Sequence, residues 1–140
     1  MLILDNLSFR WPGTDSYCLD RLSLHLQAGE QVALVGDNGA GKSTLLRLAA
    51  GLLNAEKGLI TLAGNNLSEM KAPQRVEYIG ILFQEAEKQI FHTKVRDEIT
   101  FGLKRQRLSK EEIDRRTARA LDLCQLTELA DSHPLDLHAG

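Results

Sequence analysis

A lysine, two hydroxyl residues and three glycines occur together in residues 36–44, and their types and spacing suit phosphate chemistry. The stretch reads Gly36-Asp37-Asn38-Gly39-Ala40-Gly41-Lys42-Ser43-Thr44 and meets every fixed position of the pattern G-x-x-x-x-G-K-[ST]. Glycines let the backbone turn tightly and bring N–H groups onto a phosphate. Lys42 can reach the β- and γ-phosphates, and the Ser43 hydroxyl suits Mg²⁺, which prefers oxygen ligands. We therefore predict that this loop binds a nucleoside triphosphate with Mg²⁺.

The flanking residues predict the elements that position this loop. Residues 31–35 form a short, β-branched, apolar run typical of a buried strand. Residues 44–50 read as a helix with an apolar side, and Gly51 is placed to end it. The start of a helix adds about half a positive charge to a phosphate site. The alternative, a glycine-rich turn that binds nothing, is disfavoured because strand, loop and helix agree.

The rest of the chain predicts more β structure followed by helices. Strands are expected at residues 2–9, 22–27, 58–63 and 78–83, and the second of these alternates apolar with polar residues. Val95, Ile99 and Leu103 recur at helical spacing, and Ser109 with Glu112 forms a capping box before a further helix. The buried face of that helix is predicted to comprise Ile113, Thr117, Ala120, Leu121 and Cys124. The order indicates an α/β fold in which an antiparallel β region precedes the loop.

Composition narrows the class of protein. A chain of 140 residues with a formal net charge of −2 suits one soluble globular domain without strong attraction to nucleic acid or anionic lipid. No apolar run approaches the roughly 20 residues that cross a bilayer, and the N-terminus has no secretory signal pattern. Cys18 and Cys124 form no CxxC pair, which favours a reduced cytosolic setting. The four histidines lack the spacing of metal ligands.

Several stretches beyond the loop carry a family resemblance. Residues 45–53, with residues 58–60, are similar to the stretch that follows the phosphate loop of the ATP-binding subunits of ABC transporters, and the whole chain resembles those subunits. Trp11 lies where that family has a tyrosine that stacks on adenine. Gln84 matches the glutamine of the family's Q-loop, which is implied to contact Mg²⁺ or the attacking water. The alternative interpretations are that Trp11 only packs on the β region and that Gln84 is an ordinary polar residue at a strand end.

The resemblance implies roles for these residues. It implies ATP and Mg²⁺ as ligands, with Lys42 and Gln84 as catalytic residues. Ser43 and Gln84 are then the metal-binding side chains, and the nucleotide is contacted by residues Trp11, Gly36, Asn38, Gly39, Ala40, Gly41, Lys42, Ser43 and Thr44.

Residues 89–102 resemble the energy-coupling-factor and cobalt/nickel-type ATPases more narrowly. Gln89-Ile90-Phe91 precedes a run from Lys94 to Gly102 in which Lys94 replaces a threonine and Glu98 an aspartate. The resemblance implies that a groove near residues 84–102 receives a transmembrane subunit, which places the protein peripherally on the cytoplasmic face of the cell membrane. The alternative is that the apolar residues here, namely Phe91, Val95, Ile99 and Phe101, form the core of the helical part.

The last four residues fall where the family has its signature motif. Leu137 and Gly140 match it, whereas His138 replaces a serine and Ala139 a glycine. In the family these groups bind the γ-phosphate held by a second ATP-binding subunit. The departure implies a degenerate site in an asymmetric pair, or else a coincidental alignment.

The family pattern continues with a Walker B strand, which residues 1–140 do not include. We therefore expect an ABC-type ATP-binding domain truncated before that strand, with a β-rich core over residues 1–84 and a helical part over residues 85–140. The isolated piece is expected to bind ATP without hydrolysing it and to be marginally stable. The parent is interpreted as the ATPase subunit of an importer. The alternatives are a non-hydrolysing partner in an asymmetric dimer and a soluble ATPase acting on nucleic acid or ribosomes.

Overall fold

A computed structural model describes residues 1–106 and 108–137. The chain divides into two compact units, one formed by Met1–Ile81 and one that begins at Leu82. The functional division expected after residue 84 stays a prediction.

The described part of the first unit contains an antiparallel sheet of four strands. These are β1 (Leu2–Phe9), β2 (Leu19–Leu26), β3 (Lys57–Leu62) and β4 (Asn65–Asn66), in the order β2-β1-β3-β4. The predicted strands at residues 2–9, 22–27 and 58–63 are confirmed, and β2 begins three residues earlier than expected.

Helix α1 (Lys42–Ala49) covers this sheet and supplies part of the core of the first unit. Leu45 and Leu48 are 5% and 0% exposed and belong to the same buried cluster as Leu4 and Leu7 of β1. The predicted helix is confirmed, although it begins two residues earlier than expected. Gly51 follows its end with a φ of 70°, a left-handed conformation that glycine adopts without strain.

A short helix, α2 (Ala72–Arg75), is tied to the end of α1 by one arginine. Arg75 Nη1 donates to the carbonyl oxygen of Gly51 at 2.6 Å, and Arg75 Nε donates to that of Met70 at 2.9 Å. A cation at this position also interacts favourably with the carboxyl end of the α1 dipole.

Two predicted strands are wrong. Residues 31–35 and 78–83 have no strand structure, and Val35 and Leu82 are 88% and 84% exposed. A buried parallel strand depends on hydrogen bonds from neighbours on both sides. Neither run pairs with another segment of the described residues, so apolar composition does not by itself make it a strand. The expectation that the 140 residues alone are marginally stable stays a prediction.

The second unit is helical in its described part. It contains α3 (Val95–Lys104) and α4 (Lys110–Leu123), with single 3₁₀ turns at Ala86–Gln89, Thr127–Leu129 and Pro134–Asp136. Val95, Leu121 and Ala130 form its core, joined by Ile99, Leu126 and Leu137. Both predicted helices are confirmed. Among the described residues, none of the helices is long and apolar enough to span a bilayer.

The predicted start of α4 is confirmed only in part. Ser109 Oγ accepts a hydrogen bond from the Glu112 N–H at 3.2 Å, as an N-cap should. The Glu112 carboxylate binds Arg115 and Arg116 instead of returning to Ser109, because two guanidinium groups lie one turn away on the same face. Cys124, predicted to be buried, is exposed because α4 ends at Leu123 and Cys124 lies beyond its packed face.

Candidate nucleotide-binding site

The loop before α1 has the backbone conformation that an anion site requires. Gly39 and Gly41 both have a φ of 86°, and Lys42 directly begins the helix. No side chain caps the N-terminus of α1, so its first N–H groups remain available to a ligand. A helix start with free N–H groups binds phosphate through hydrogen bonds and through the helix dipole.

Lys42 folds back over this loop. Its Nζ donates to the carbonyl oxygen of Gly36 at 2.6 Å and to that of Asp37 at 2.7 Å. The two bonds close the loop at its beginning and place the ammonium beside the same backbone that leads to Gly39 and Gly41. A positive charge therefore lies at the mouth of the loop, where a phosphate would approach the helix N-terminus.

The other loop residues differ in how they present their polar groups. The side chains of Asp37, Asn38 and Ser43 are exposed, which leaves the Ser43 hydroxyl accessible to a metal ion. The Ala40 N–H donates to the carbonyl oxygen of Asp37 at 3.2 Å. Thr44 is only 6% exposed, and its hydroxyl accepts a hydrogen bond from Cys18 Sγ at 3.6 Å. Thr44 can thus offer a ligand its N–H more readily than its hydroxyl.

Cys18 and Leu19, where β2 begins, pack against this loop. A Cβ atom placed on Gly41 would lie 3.0 Å from Leu19 Cδ2 and 3.2 Å from the carbonyl oxygen of Cys18. A Cβ atom placed on Gly39 would meet nothing within 4 Å. Gly41 is therefore required for close packing as well as for its backbone angle, whereas Gly39 is required for its angle alone.

Trp11 packs on the β region and remains partly exposed. Its ring meets Phe9 edge to face, with centroids 5.1 Å apart, and it keeps 38% of its surface exposed. Thr14 fixes the turn that carries it by donating both its N–H and its hydroxyl to the Trp11 carbonyl oxygen. Packing on the sheet and stacking on a base are therefore compatible for this side chain.

Gln84 belongs to the second unit. Its side chain is exposed and lines a surface pocket of about 500 Å³ together with Phe83, Lys88 and Gln89. Glu85 also lines this pocket, and its carboxylate forms an ion pair with Lys88 Nζ at 2.7 Å. The pocket thus combines two amides, an apolar ring and a neutralised carboxylate.

The stretch predicted to meet a membrane subunit separates into buried and exposed residues. Val95 and Ile99 contribute to the core of the second unit, whereas Phe91 is 80% exposed and Phe101 is 41% exposed. The core interpretation therefore applies to Val95 and Ile99, and Phe91 is left at the surface.

Glu98 fixes the segment that carries Phe91. Its Oε2 accepts hydrogen bonds from the N–H groups of Phe91 at 3.1 Å and His92 at 2.9 Å, and it lies 2.8 Å from His92 Nδ1. Burial raises the pKa of Glu98, but the hydrogen bonds from His92 and Phe91 outweigh it, so the pKa lies below its usual value.

Sequence reasoning missed three contacts at these sites. Cys18 lies 26 positions before Thr44 and belongs to no motif, so no signal in the sequence connected them. His92 packs on the Phe101 ring at 5.0 Å, while the Arg105 guanidinium lies 4.4 Å from the centroid of the same ring. The predicted signature residues His138 and Ala139, with Gly140, lie outside the described residues.

The fold and the loop geometry together define a P-loop protein, and the family profile that the chain matches identifies its family. The family profile described as ABC transporter matches residues 19–139, so this chain belongs to that family. The predicted fold class and family are thereby confirmed.

Curated relatives carry a more specific name. The chain is 37% identical over 137 residues to the energy-coupling factor transporter ATP-binding protein EcfA1 of Ligilactobacillus salivarius. The aligned region covers 98% of this chain and 49% of that protein. It is also 37% identical over 136 residues to the protein of the same name from Streptococcus pneumoniae, covering 96% of this chain and 50% of the relative. The chain thus spans about half the length of the curated relatives it matches.

Solved structures agree on the fold. The structure of cbiO1 from Clostridium perfringens, described as part of the ABC transporter complex cbiONQ, superposes with a TM-score of 0.83 at 26% identity, covering 98% of this chain and 55% of that one. A dimeric ATP-binding cassette, MJ0796 bound to ADP and Pi, superposes with a TM-score of 0.77 at 22% identity, covering 99% and 63% of the two chains. At that identity the second likeness supports the fold alone.

Proposed function

We propose that the protein is an ATP-binding subunit of an energy-coupling-factor type importer, in which ATP binding and hydrolysis drive transport. The observation that carries this proposal is the loop at residues 36–44. There Lys42 Nζ, 2.6 Å from the Gly36 carbonyl oxygen, lies beside a helix whose N-terminus no side chain caps. The names of the curated relatives support the importer class.

The residues of the loop fit a triphosphate with Mg²⁺. The free N–H groups at the start of α1 and the left-handed glycines Gly39 and Gly41 would receive the phosphate oxygens. Lys42 would leave its two carbonyl partners and neutralise the phosphate charge. The exposed Ser43 hydroxyl would be an oxygen ligand for Mg²⁺, which supplies charge neutralisation between the phosphates. Trp11 would stack on the base with the ring surface that Phe9 leaves exposed.

Further residues are proposed for hydrolysis and for contact with partners. Gln84 would bind Mg²⁺ through its amide oxygen or orient the attacking water, as the resemblance implies. Phe91 is exposed, and its N–H donates a hydrogen bond to Glu98. Its side chain is the apolar group that we propose contacts the transmembrane subunit. The protein would then work at the cytoplasmic face of the membrane, paired with a second ATP-binding subunit.

A non-hydrolysing role in an asymmetric dimer is the second candidate. The replacement of the signature serine and glycine by His138 and Ala139 motivates it. A bulky side chain and an added Cβ would hinder N–H groups from reaching a γ-phosphate. Measuring ATP turnover of the full-length protein before and after restoring serine and glycine at these positions separates the two. Turnover that rises only after restoration supports the non-hydrolysing role, and substantial turnover before restoration contradicts it.

The ATP site is tested by Lys42→Ala in the full-length protein. Removing a charged hydrogen-bond partner of the phosphates should weaken Mg-ATP binding by roughly 10- to 100-fold. Lys110→Ala is the matched control, because Lys110 is an exposed lysine of the second unit. Equilibrium titration of both variants decides the matter: unchanged affinity in Lys42→Ala would mean that the phosphates bind elsewhere.

A further inference from the structure

We propose that Cys18 is a positioning residue for the phosphate-binding loop, which it anchors to the β sheet. This inference rests on the proposed ATP site. Cys18 lies just before β2, is half-buried and forms no disulfide. It belongs to no nucleotide-binding motif, and the function proposed above does not use it.

Cys18 contacts two positions of the loop. Its Sγ donates to the Thr44 hydroxyl at 3.6 Å, and Thr44 is almost fully buried in the first turn of α1. Its carbonyl oxygen and Sγ lie 3.2 Å and 3.4 Å from the place where a Cβ atom on Gly41 would be. Cys18 therefore supports the N-terminal end of α1 on the side away from solvent, together with the neighbouring Leu19, and only Cys18 makes a hydrogen bond to it.

Cys18 is itself fixed to the sheet. Its N–H donates to the carbonyl oxygen of Phe9 at 2.9 Å, and the next residue, Leu19, pairs with Phe9 in the register of β1 and β2. Because Phe9 is buried at the end of β1, this anchor cannot shift without disturbing the core. The loop is thus joined to a rigid element through the thiol of Cys18, and the first turn of α1 is held in place before a ligand binds.

The contribution of such a contact is modest and measurable. A neutral hydrogen bond that involves sulfur is weak, so removing it should change phosphate affinity by about two- to tenfold rather than abolish binding. The effect should be the same for ATP and for inorganic tripolyphosphate, because Cys18 supports the part of the loop that meets phosphate and not the base.

The first test compares three variants of the full-length protein by equilibrium titration with Mg-ATP and with Mg-tripolyphosphate. Cys18→Ala should weaken both ligands by about two- to tenfold. Cys18→Ser, whose hydroxyl can donate to Thr44, should return both affinities to within about twofold of the wild type. Cys124→Ser, at an exposed cysteine of the second unit, should change neither.

The outcomes separate this inference from the proposed function. If the wild-type protein fails to bind Mg-ATP, the proposed function and this inference both fall. If the wild type binds and Cys18→Ala binds equally well, only this inference is overturned. A purely structural role would lower the melting temperature of Cys18→Ala while leaving both affinities unchanged, and that result also overturns it.

A second measurement uses only the wild-type protein, so it tests the positioning role of Cys18 even if Cys18→Ala fails to fold. The wild-type protein is treated with N-ethylmaleimide, and the alkylation rates of Cys18 and Cys124 are followed by mass spectrometry of their peptides. A ligand that fixes the first turn of α1 keeps Thr44 against Cys18, so saturating Mg-ATP should slow alkylation of Cys18 by about fivefold or more. Alkylation of Cys124 should not change. Equal rates at Cys18 with and without Mg-ATP would overturn the proposal.

Discussion

Two glycines of the loop, Gly41 and Gly39, allow the site geometry to be tested by a matched pair of substitutions. Both have a φ of 86°, so an alanine at either position is forced into the left-handed region at a cost of about 1–2 kcal/mol. Only at Gly41 does the added Cβ also meet other atoms, namely Leu19 Cδ2 at 3.0 Å and the Cys18 carbonyl oxygen at 3.2 Å. At Gly39 the added Cβ has open space.

These contacts set the difference in free-energy cost between Gly41→Ala and Gly39→Ala. Leu19 is only 7% exposed and Cys18 O belongs to the backbone, so neither can move aside freely. Overpacking of this kind costs about 1–3 kcal/mol more. The total is therefore about 2–5 kcal/mol for Gly41→Ala against about 1–2 kcal/mol for Gly39→Ala. If the cost falls on the loop conformation that binds phosphate, Mg-ATP affinity falls about 30-fold or more in the first variant and about 5- to 30-fold in the second.

Isothermal titration of the two full-length variants with Mg-ATP measures this difference. Circular dichroism without nucleotide confirms that each variant retains the helices of the wild type. An equal loss of affinity in the two variants would refute the reasoning, because it would show that contact with Cys18 and Leu19 does not constrain Gly41. A larger loss in Gly39→Ala would refute it too.

Two further predictions concern stability. Gly58→Ala should lower the free energy of unfolding, measured by chemical denaturation, by about 3 kcal/mol or more, because its Cβ would overlap the Asp5 carbonyl oxygen. Gly64→Ala, with a φ of 84° and open space, should lower it by only about 1–2 kcal/mol. Similar losses in the two variants would contradict the close approach of Asp5 to Gly58. Hydrogen bonds from Arg115 and then Arg116 lower the pKa of Glu112 to about 2 from 4.5. A lowered pKa adds stability above the unfolded value, so helix content measured by circular dichroism should fall between pH 4.5 and about 2. The Glu112→Gln variant should lose less helix over this range, and an identical pH profile would contradict the role of these ion pairs.

Local signals in the sequence were sufficient for the loop and for the helices α1, α3 and α4, whereas the short helix α2 was not predicted. The apolar side of residues 44–50 predicted α1 and Gly51 predicted its end, because helix periodicity and cap chemistry are determined by neighbouring residues. The capping serine Ser109 predicted the start of α4 for the same reason. The strands β1, β2 and β3 were also found, since each presents a run of apolar residues to one core.

Features that depend on distant residues could not be predicted in this way. The apolar run at residues 31–35 indicated a strand, but strand structure requires a paired neighbour and the described residues supply none. Phe91 and Val95 belong to the same resemblance, yet one is exposed and the other buried, because packing against Leu121 and Ala130 decides which side chains enter the core.

The sequence by itself determined the phosphate-binding loop, because that chemistry requires a fixed order of glycines, a lysine and a hydroxyl. The resemblance of further stretches along the chain identified the ABC transporter family, which the family profile confirms. Only the tertiary structure decided how the loop is supported. Cys18 and Thr44 are 26 positions apart, and no local pattern places one against the other. Their contact exists because the antiparallel pairing of β1 with β2 brings the start of β2 beneath α1.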